Sequence, residues 1–438
     1  MLNYIWLGLV LLGAGLGGVS GHLPAVGAAA FDAAKTAVVT IALPLIGITA
    51  LWLGAMRLAE KSGMIHGLAR VLRPPLRFLF PEVPADHPAM GSMVMNMAAN
   101  MIGLTNAATP LGLRAMTDLE QLNPSPGTAT NAMCTFLAIN TGSVQLLPTT
   151  AIGIMAAAGA LNPTAIVGTS LLATFCSQVT GITAVKLLQR FPVFRLPPPA
   201  QAPDPAPRPA APVAEAPAPP PPTAPLSAWA LLAVLALVAF FAWLFFRAVL
   251  LPGAPLGAAA WFQRIMGALS VLAVPFLLAF FPLYAALRGV RVYEEFVEGA
   301  KQGFEVAIRI IPFLVAMLVA VGMFRSAGGV DLLARALKPV LDAVHFPPEL
   351  LPMAFTRPLS GSATIALFAD LVKTFGPDHL ITRMGGTILG STETTLYVVA
   401  VYFGAVGIKR ARHAVLAGLL ADLAGIIASV LICRLVFS

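Results

Sequence analysis

Residues 385–404 read GGTILGSTETTLYVVAVYFG. Two apolar runs enclose five consecutive polar residues, Ser391, Thr392, Glu393, Thr394 and Thr395, and Tyr397 and Tyr402 stand just beyond. Such a segment reads as a helix interrupted inside an apolar environment. In lipid every backbone amide and carbonyl must be bonded, so an interruption is tolerated only where it bonds within the protein or lines a cavity holding water, ion or solute. Glu393 is the only acid between Asp378 and Asp422. A carboxylate near a membrane interior is normally paired, protonated or ion-binding.

The rest of the chain has the composition of the same environment. Of 438 residues, 58% are hydrophobic and 11% are Asp, Glu, Lys or Arg, against about 25% charged in soluble domains; mean hydropathy is +0.85. Several apolar runs approach the roughly 20 residues that cross a bilayer. The class is an all-α polytopic membrane protein, which excludes secreted and fibrous proteins. The net charge of +8 sits in short clusters beside apolar segments, where cytoplasmic anchoring explains it better than a nucleic-acid partner does. Cys134, Cys176 and Cys433 lie far apart in apolar stretches and are expected as packed core thiols. Leu2 to Val19 lacks a basic n-region and has the length of a span, so it reads as a retained helix rather than a signal peptide.

Pro197 to Pro225 breaks the pattern, with 14 prolines and 9 alanines among 29 residues. It can form neither a helix ladder nor a packed core and reads as an extended cytoplasmic linker. It separates block 1–196 from block 226–438, each large enough to be a membrane unit, as in a fusion of two partner subunits. The blocks also resemble each other. FDAAKTA (31–37) and SGMIHGLARVLRPPL (62–76) match FVEGAKQG (296–303) and GGVDLLARALKPVL (328–341), pairing Phe31 with Phe296, Lys35 with Lys301, Arg70 with Arg335 and Pro74 with Pro339. Internal duplication is characteristic of secondary transporters.

Run length and Gly/Pro punctuation predict spans at 2–19, 37–57, 163–190, 226–250, 264–287, 305–325 and 413–437, and short helices at 64–73 and 330–343. Interrupted segments fall at 88–117, 349–374 and 380–408, and a further apolar segment at 128–158. Arg57, Lys61, Arg70, Arg73 and Arg77 make their loop cytoplasmic, and Lys186, Arg190 and Arg195 place the linker on that side. The additional span at 226–250 reverses the second block, so the two repeats are expected to be inverted, with 288–304 cytoplasmic. Arg325, Arg335 and Lys338 then fall on the outer side, against the rule.

The interrupted segments supply the candidate site. MVMNMAANMIGLTNAATPLG (93–112) sets Asn96 and Asn100 on one helix face and then breaks at Gly103, Asn106, Pro110 and Gly112. Asn96, Asn100, Asn106, Thr109, Asn131 and Asn140 from the first block, with Arg357, Ser360, Ser362, Ser391, Thr392 and Thr394 from the second, are expected to hold solute. Glu393 is the expected ion-coupling group. Thr141, Ser143, Gln145, Ser177 and Gln178 extend the polar set. The run after Arg357 and Pro358 suits a turn or helix N-terminus presenting amides to an anion or polar ligand. Arg357 reads equally as an interfacial anchor, and the Asn and Ser groups as interhelical hydrogen-bond partners. A hydrated cavity common to both blocks would satisfy these groups together. There is no P-loop, HExxH or GxSxG in suitable context, and His22, His66, His87, His345, His379 and His413 are scattered, so neither an enzyme nor a metal site is expected.

NMAANMIGLTNAATPLGLRAM (96–116) and ATNAMCTFLAINTGSVQLLPT (129–149) resemble the spore maturation protein A family. RPLSGSAT (357–364) and GSTETTLYVVAVYFGAVGIKRARHA (390–414) resemble the spore maturation protein B family. The resemblance covers nearly the whole chain outside the linker. It implies the nucleoside-recognition, or Gate-domain, superfamily, whose relatives include concentrative nucleoside transporters and the membrane domain of ferrous-iron transporters. It implies two Gate-type repeats and a secondary transporter or permease for a small polar or anionic, nucleoside-like solute, driven through a coupling Na+ or H+ with no other cofactor. The alternative is a non-transporting membrane scaffold or regulator in spore or cell-envelope maturation. A small-molecule solute and membrane lipid are the expected partners, with no nucleic acid; a homo-oligomer stays open. The expected location is the bacterial inner membrane, crossed many times.

Overall fold

The computed structural model describes residues 2–103, 105–195, 227–250, 257–329 and 346–437, with isolated positions at 332, 335, 339 and 341. The linker at 197–225, most of the 330–343 helix and the Asn106 side chain lie outside the described residues. Among the described residues the chain is helical, apart from one isolated bridge between Thr128 and Arg410 that ties two loops. Among the described residues five helices are long and apolar enough to cross a membrane: Leu23–Lys61, Ile166–Leu188, Ala228–Leu250, Ala260–Leu287 and Ala414–Phe437.

In the first block α1 spans Leu2–Val19, α2 Leu23–Lys35 and α3 Leu43–Lys61. The expected span at 37–57 is the middle of a continuous 39-residue helix. Pro44 cannot donate to the ladder, and the wider π turn Thr36–Ala42 ahead of it carries the helix past the ring. Gly63, in the left-handed region at φ +75°, turns the chain into α4, Met64–Leu79. Two broken pairs follow, α5 (Pro88–Ile102) with α6 (Thr105–Gln121) and α7 (Asn131–Gly142) with α8 (Thr149–Ala157), and then the span α9, Ile166–Leu188. The second block adds α10 (Ala228–Leu250) and α11 (Ala258–Leu287) before α12, Val292–Ser326. It then repeats the order: α13 (Leu351–Thr356) with α14 (Gly361–Phe375), α15 (Leu380–Ser391) with α16 (Thr395–Ala405), and the last span α17, Ala414–Phe437.

Equivalent helices of the two blocks pack against each other in opposite directions. Arg57 pairs with Glu295 at 2.7 Å, Gly54 abuts Phe296, Thr49 Oγ1 reaches Gly303 O at 3.3 Å, and Gly322 abuts Ala33. α3 and α12 are therefore antiparallel. α9 and α17 cross likewise: Thr169 shares Thr387 with Cys433, Ser177 Oγ donates to Ala421 O at 2.9 Å, and Gly181 meets Ala421. The repeats are inverted. Small residues at these seams let the backbones approach where lipid supplies no hydrophobic drive.

The two ends of the bundle differ in charge. One gathers, beside the Arg57–Glu295 pair, basic groups held on backbone carbonyls: Arg288 (Nε to Ser62 O, 3.2 Å), Lys186 (Nζ to Leu79 O, 2.7 Å) and Arg412, which donates to Phe194 O and, at 2.9 Å, to Ala129 O. At the opposite end, basic groups face acids: Arg325 with Asp370 at 2.7 Å, Arg383 with Asp378 at 3.5 Å, and Lys373 with Asp32. Arg325 is thus neutralised where the charge rule disfavours it. Cys134 and Cys433 are buried, but Cys176 is exposed, which corrects the expectation that all three are core thiols.

Candidate functional site

Each block contributes a helix pair whose chain leaves helical geometry partway. α7 ends at Gly142, and residues 143–148 run irregularly up to Pro148, which has no N–H to offer. α15 ends at Ser391; Thr392 is extended (φ −145°, ψ 165°) and α16 restarts at Thr395. The two breaks cross. Glu393 N donates to Thr141 O at 2.8 Å, and Gln145 Nε2 donates to Glu393 Oε1 at 2.8 Å. Thr174 Oγ1 of α9 donates to the freed carbonyls of Gly142 and Ser143 at 2.8 and 2.9 Å. Backbone groups released by one break are thus bonded from a neighbouring element or from the other block.

Arg357 lies at a third break, between α13 and α14. Ser360 caps α14 by accepting from Ala363 N at 3.2 Å. Arg357 is only 4% exposed. Its Nε donates to Thr392 Oγ1 at 3.2 Å and one Nη to Leu389 O at 3.0 Å. It therefore binds the C-terminal end of α15, and the interfacial-anchor reading is overturned. Among the described residues Arg357 forms no ion pair with Glu393, whose carboxylate is taken by Gln145.

A cavity of about 190 Å³ lies at these breaks, lined by Gln145, Pro148, Thr149 and Thr150 of the first block and Arg357, Gly361, Gly390 and Glu393 of the second. The first turns of α8 and α14 line it, so amides and the positive ends of two helix dipoles join Arg357 around one space. Beyond the 143–148 break a second cavity, about 180 Å³, has apolar walls that include Leu72, Leu76, Met97 and Ile139, and polar groups from Asn100, Asn140, Ser143 and Gln178.

A carboxamide network braces this region. Asn100 Nδ2 donates to Asn140 Oδ1 at 2.9 Å, and Asn140 Nδ2 to Phe136 O at 2.9 Å. Asn96 Nδ2 reaches across the α5–α6 break to Ala108 O at 2.7 Å. Tyr402 Oη accepts from Asn96 Nδ2 at 3.4 Å and donates to Asn140 Oδ1 at 3.5 Å, stacking its ring on Phe136 at 5.9 Å. Its hydroxyl fits because residue 112 is glycine: a Cβ there would stand 2.3 Å from Tyr402 Oη.

The expected site residues divide accordingly. Arg357 and Glu393 line the first cavity, and Asn100 and Asn140 the second. Thr392 orients Arg357, and Thr394 abuts Gly361. Asn96 bonds α5 to α6 through Ala108 O. Ser391 donates to Ile388 O at 3.1 Å and accepts from Ser429 at 3.2 Å, and Ser360 is a cap. Ser362 is half-buried in the first turn of α14, and Thr109 half-buried in α6. Asn131 is not brought in: it opens α7 and donates to Glu82 Oε1 at 2.9 Å at the basic end, about 13 Å along the helix from Asn140 at 1.5 Å per residue. The structure adds Tyr402, Thr149 and Thr150, and buries Asp422 of α17 behind the crossing, where Thr395 Oγ1 donates to its Oδ2 at 2.5 Å.

Residues 42–187 and 307–409 match the family described as "Gate: Nucleoside recognition". "Spore maturation protein B" of Bacillus subtilis (strain 168) is 47% identical over 175 residues, 40% of this chain and 98% of that protein. "Spore maturation protein A" of the same organism is 43% identical over 182 residues, 42% of this chain and 92% of that protein. Among solved structures, "Crystal structure of the Alcanivorax borkumensis YdaH transporter reveals an unusual topology" is 15% identical with a TM-score of 0.44, over 99% of this chain and 96% of that one. The two stretches matched by the family hold the breaks at 103, 143–148, 357–360 and 392–394 and span more than half of the 438 residues, so the chain belongs to the Gate, or nucleoside-recognition, family of membrane proteins.

Proposed function

We propose that the chain is a secondary transporter or permease for a small polar or anionic, nucleoside-like solute bound between the two repeats. One observation carries the reading: a single cavity takes one wall from each inverted repeat, with Gln145, Thr149 and Thr150 facing Arg357, Gly361 and Glu393. Transporter folds place solute where irregular backbone lies at the seam of two repeats, because rocking one against the other exposes that seam to either side in turn. Arg357 and the N-termini of α8 and α14 would hold an anionic or carbonyl-bearing end, and Glu393 would accept from a hydroxyl or amide. The end carrying Arg57, Lys186 and Arg412 is taken as cytoplasmic, in a bacterial inner membrane.

The test is uptake of labelled nucleosides and small organic anions into vesicles containing Glu393→Gln. The substitution keeps the side-chain shape and removes a charged acceptor whose hydrogen bond is worth about 1.5–3 kcal/mol. Uptake should fall by about tenfold or more while the protein still assembles. Normal uptake by the Gln variant would refute the site. Absence of uptake by the unsubstituted protein for every solute class would favour the scaffold reading.

A further inference from the structure

We propose that Asp422, Thr395 and Thr141 form a binding site for one alkali-metal cation of the Na+ class, behind the crossed breaks and separate from the solute cavity. The inference rests on the transporter reading only for its coupling role. The binding itself stands on the geometry below.

Asp422 is 1% exposed in the middle of α17. Its Oδ2 accepts from Thr395 Oγ1 at 2.5 Å, but its Oδ1 has no hydrogen-bond partner. Thr141, fully buried in the last turn of α7, also has an unpartnered Oγ1. Both hydroxyls overhang one glycine: a Cβ at Gly418, one turn before Asp422, would lie 3.1 Å from Thr395 Oγ1 and 3.3 Å from Thr141 Oγ1. The three side chains come from three helices and two blocks, and their polar atoms are all oxygen. A buried carboxylate oxygen and a buried hydroxyl oxygen left without partners are expensive in a dry interior. A hard cation satisfies both at once, since such ions take oxygen ligands.

Charge and backbone support the same assignment. The three side chains hold one carboxylate, that of Asp422, which a single monovalent cation matches. Thr141 lies at the C-terminal end of a half-helix, the negative end of its dipole, which is where broken helices coordinate coupling ions. Glu393 N donates to Thr141 O, so a cation at Thr141 would fix the residue that anchors the Glu393 backbone beside the solute cavity. Occupancy of one site would thereby bias the other.

The experiment is thermal unfolding of the purified full-length protein in detergent, in NaCl, KCl or choline chloride at equal ionic strength and fixed pH. A ligand that binds only the folded state raises the midpoint with concentration. Na+ should raise the midpoint saturably over choline, and Asp422→Asn should abolish that increment. Thr141→Val keeps the shape and removes one ligand; it should raise the half-saturating Na+ concentration about tenfold, and it serves as the test if Asp422→Asn fails to fold. Glu393→Gln should keep the Na+ increment even while it loses uptake, which separates failure of this site from failure of the solute site. Equal midpoints in all three salts, or an increment retained in both Asp422→Asn and Thr141→Val, would overturn the proposal. Stabilisation by acid with no preference for Na+ would assign a proton to Asp422 and overturn it as well.

Discussion

Gly299 lies where α12 crosses α3 and tests whether the two blocks hold together by close backbone packing. A Cβ at this position would stand 2.6 Å from Leu53 O, 2.7 Å from Arg57 Cβ and 2.9 Å from Gly54 Cα. Two of the three neighbours are backbone and cannot rotate away. Moving the first to the 3.4 Å of ordinary contact separates the helices by about 0.8 Å. A gap of that size forfeits a quarter to a half of each dispersion contact along the seam, and overpacking of this kind costs about 1–3 kcal/mol. Gly299→Ala should therefore weaken association of the blocks about 5- to 150-fold. The assay is to cut the chain near Ala210, co-express the halves with separate tags, and follow their dissociation on dilution in detergent by energy transfer. Gly303→Ala, whose Cβ would meet Ala50 Cα and N at 2.6 Å, should act in the same direction. Gly47→Ala, with nothing within 4 Å, should change nothing. Association of the Gly299→Ala halves within twofold of the unsubstituted pair would refute the reasoning, and loss of association on cutting alone would show that the linker is more than a tether.

Sidedness gives a second outcome: single cysteines at Ser20 and Arg291, both exposed, should label from opposite faces of the membrane, and labelling from one face would contradict the inverted arrangement. A third concerns His413, which is fully buried in the loop before α17, edge-on to Phe194 at 5.8 Å, with neither ring nitrogen partnered. Burial first, and then the charges of Arg412 and Lys186, hold its pKa down to about 4. The unfolded chain therefore takes up a proton near pH 6.5 that the folded chain refuses, so stability conferred by neutral His413 is complete above about pH 6.5 and is lost as pH falls toward 4. His413→Phe should flatten the acid limb of a stability profile relative to the unsubstituted protein; superimposed limbs would show that the histidine is protonated in the fold.

What the sequence determined by itself was local. Apolar run length, Gly103 and the polar run 391–395 mark spans and interruptions because the bilayer dictates both from a few neighbouring residues. The added span Ala228–Leu250 determined the inversion by parity alone. Arg357 and Glu393 stood out as charges beside breaks, and they do line the shared cavity. Asp422 carried the same signal, a lone acid in an apolar span, but nothing local told which groups it would meet. Asn131 looked like its neighbours Asn140 and Asn100, yet opening a helix put it at the bundle end beside Glu82. Tyr402 gains its role only because Gly112, Asn96 and Asn140, from distant segments, leave a space the size of its hydroxyl. Which polar group meets which, across an interval of up to 341 residues, was decided by the antiparallel packing of α3 on α12 and α9 on α17, since hydrogen bonds over about 3 Å depend on positions that no single helix specifies.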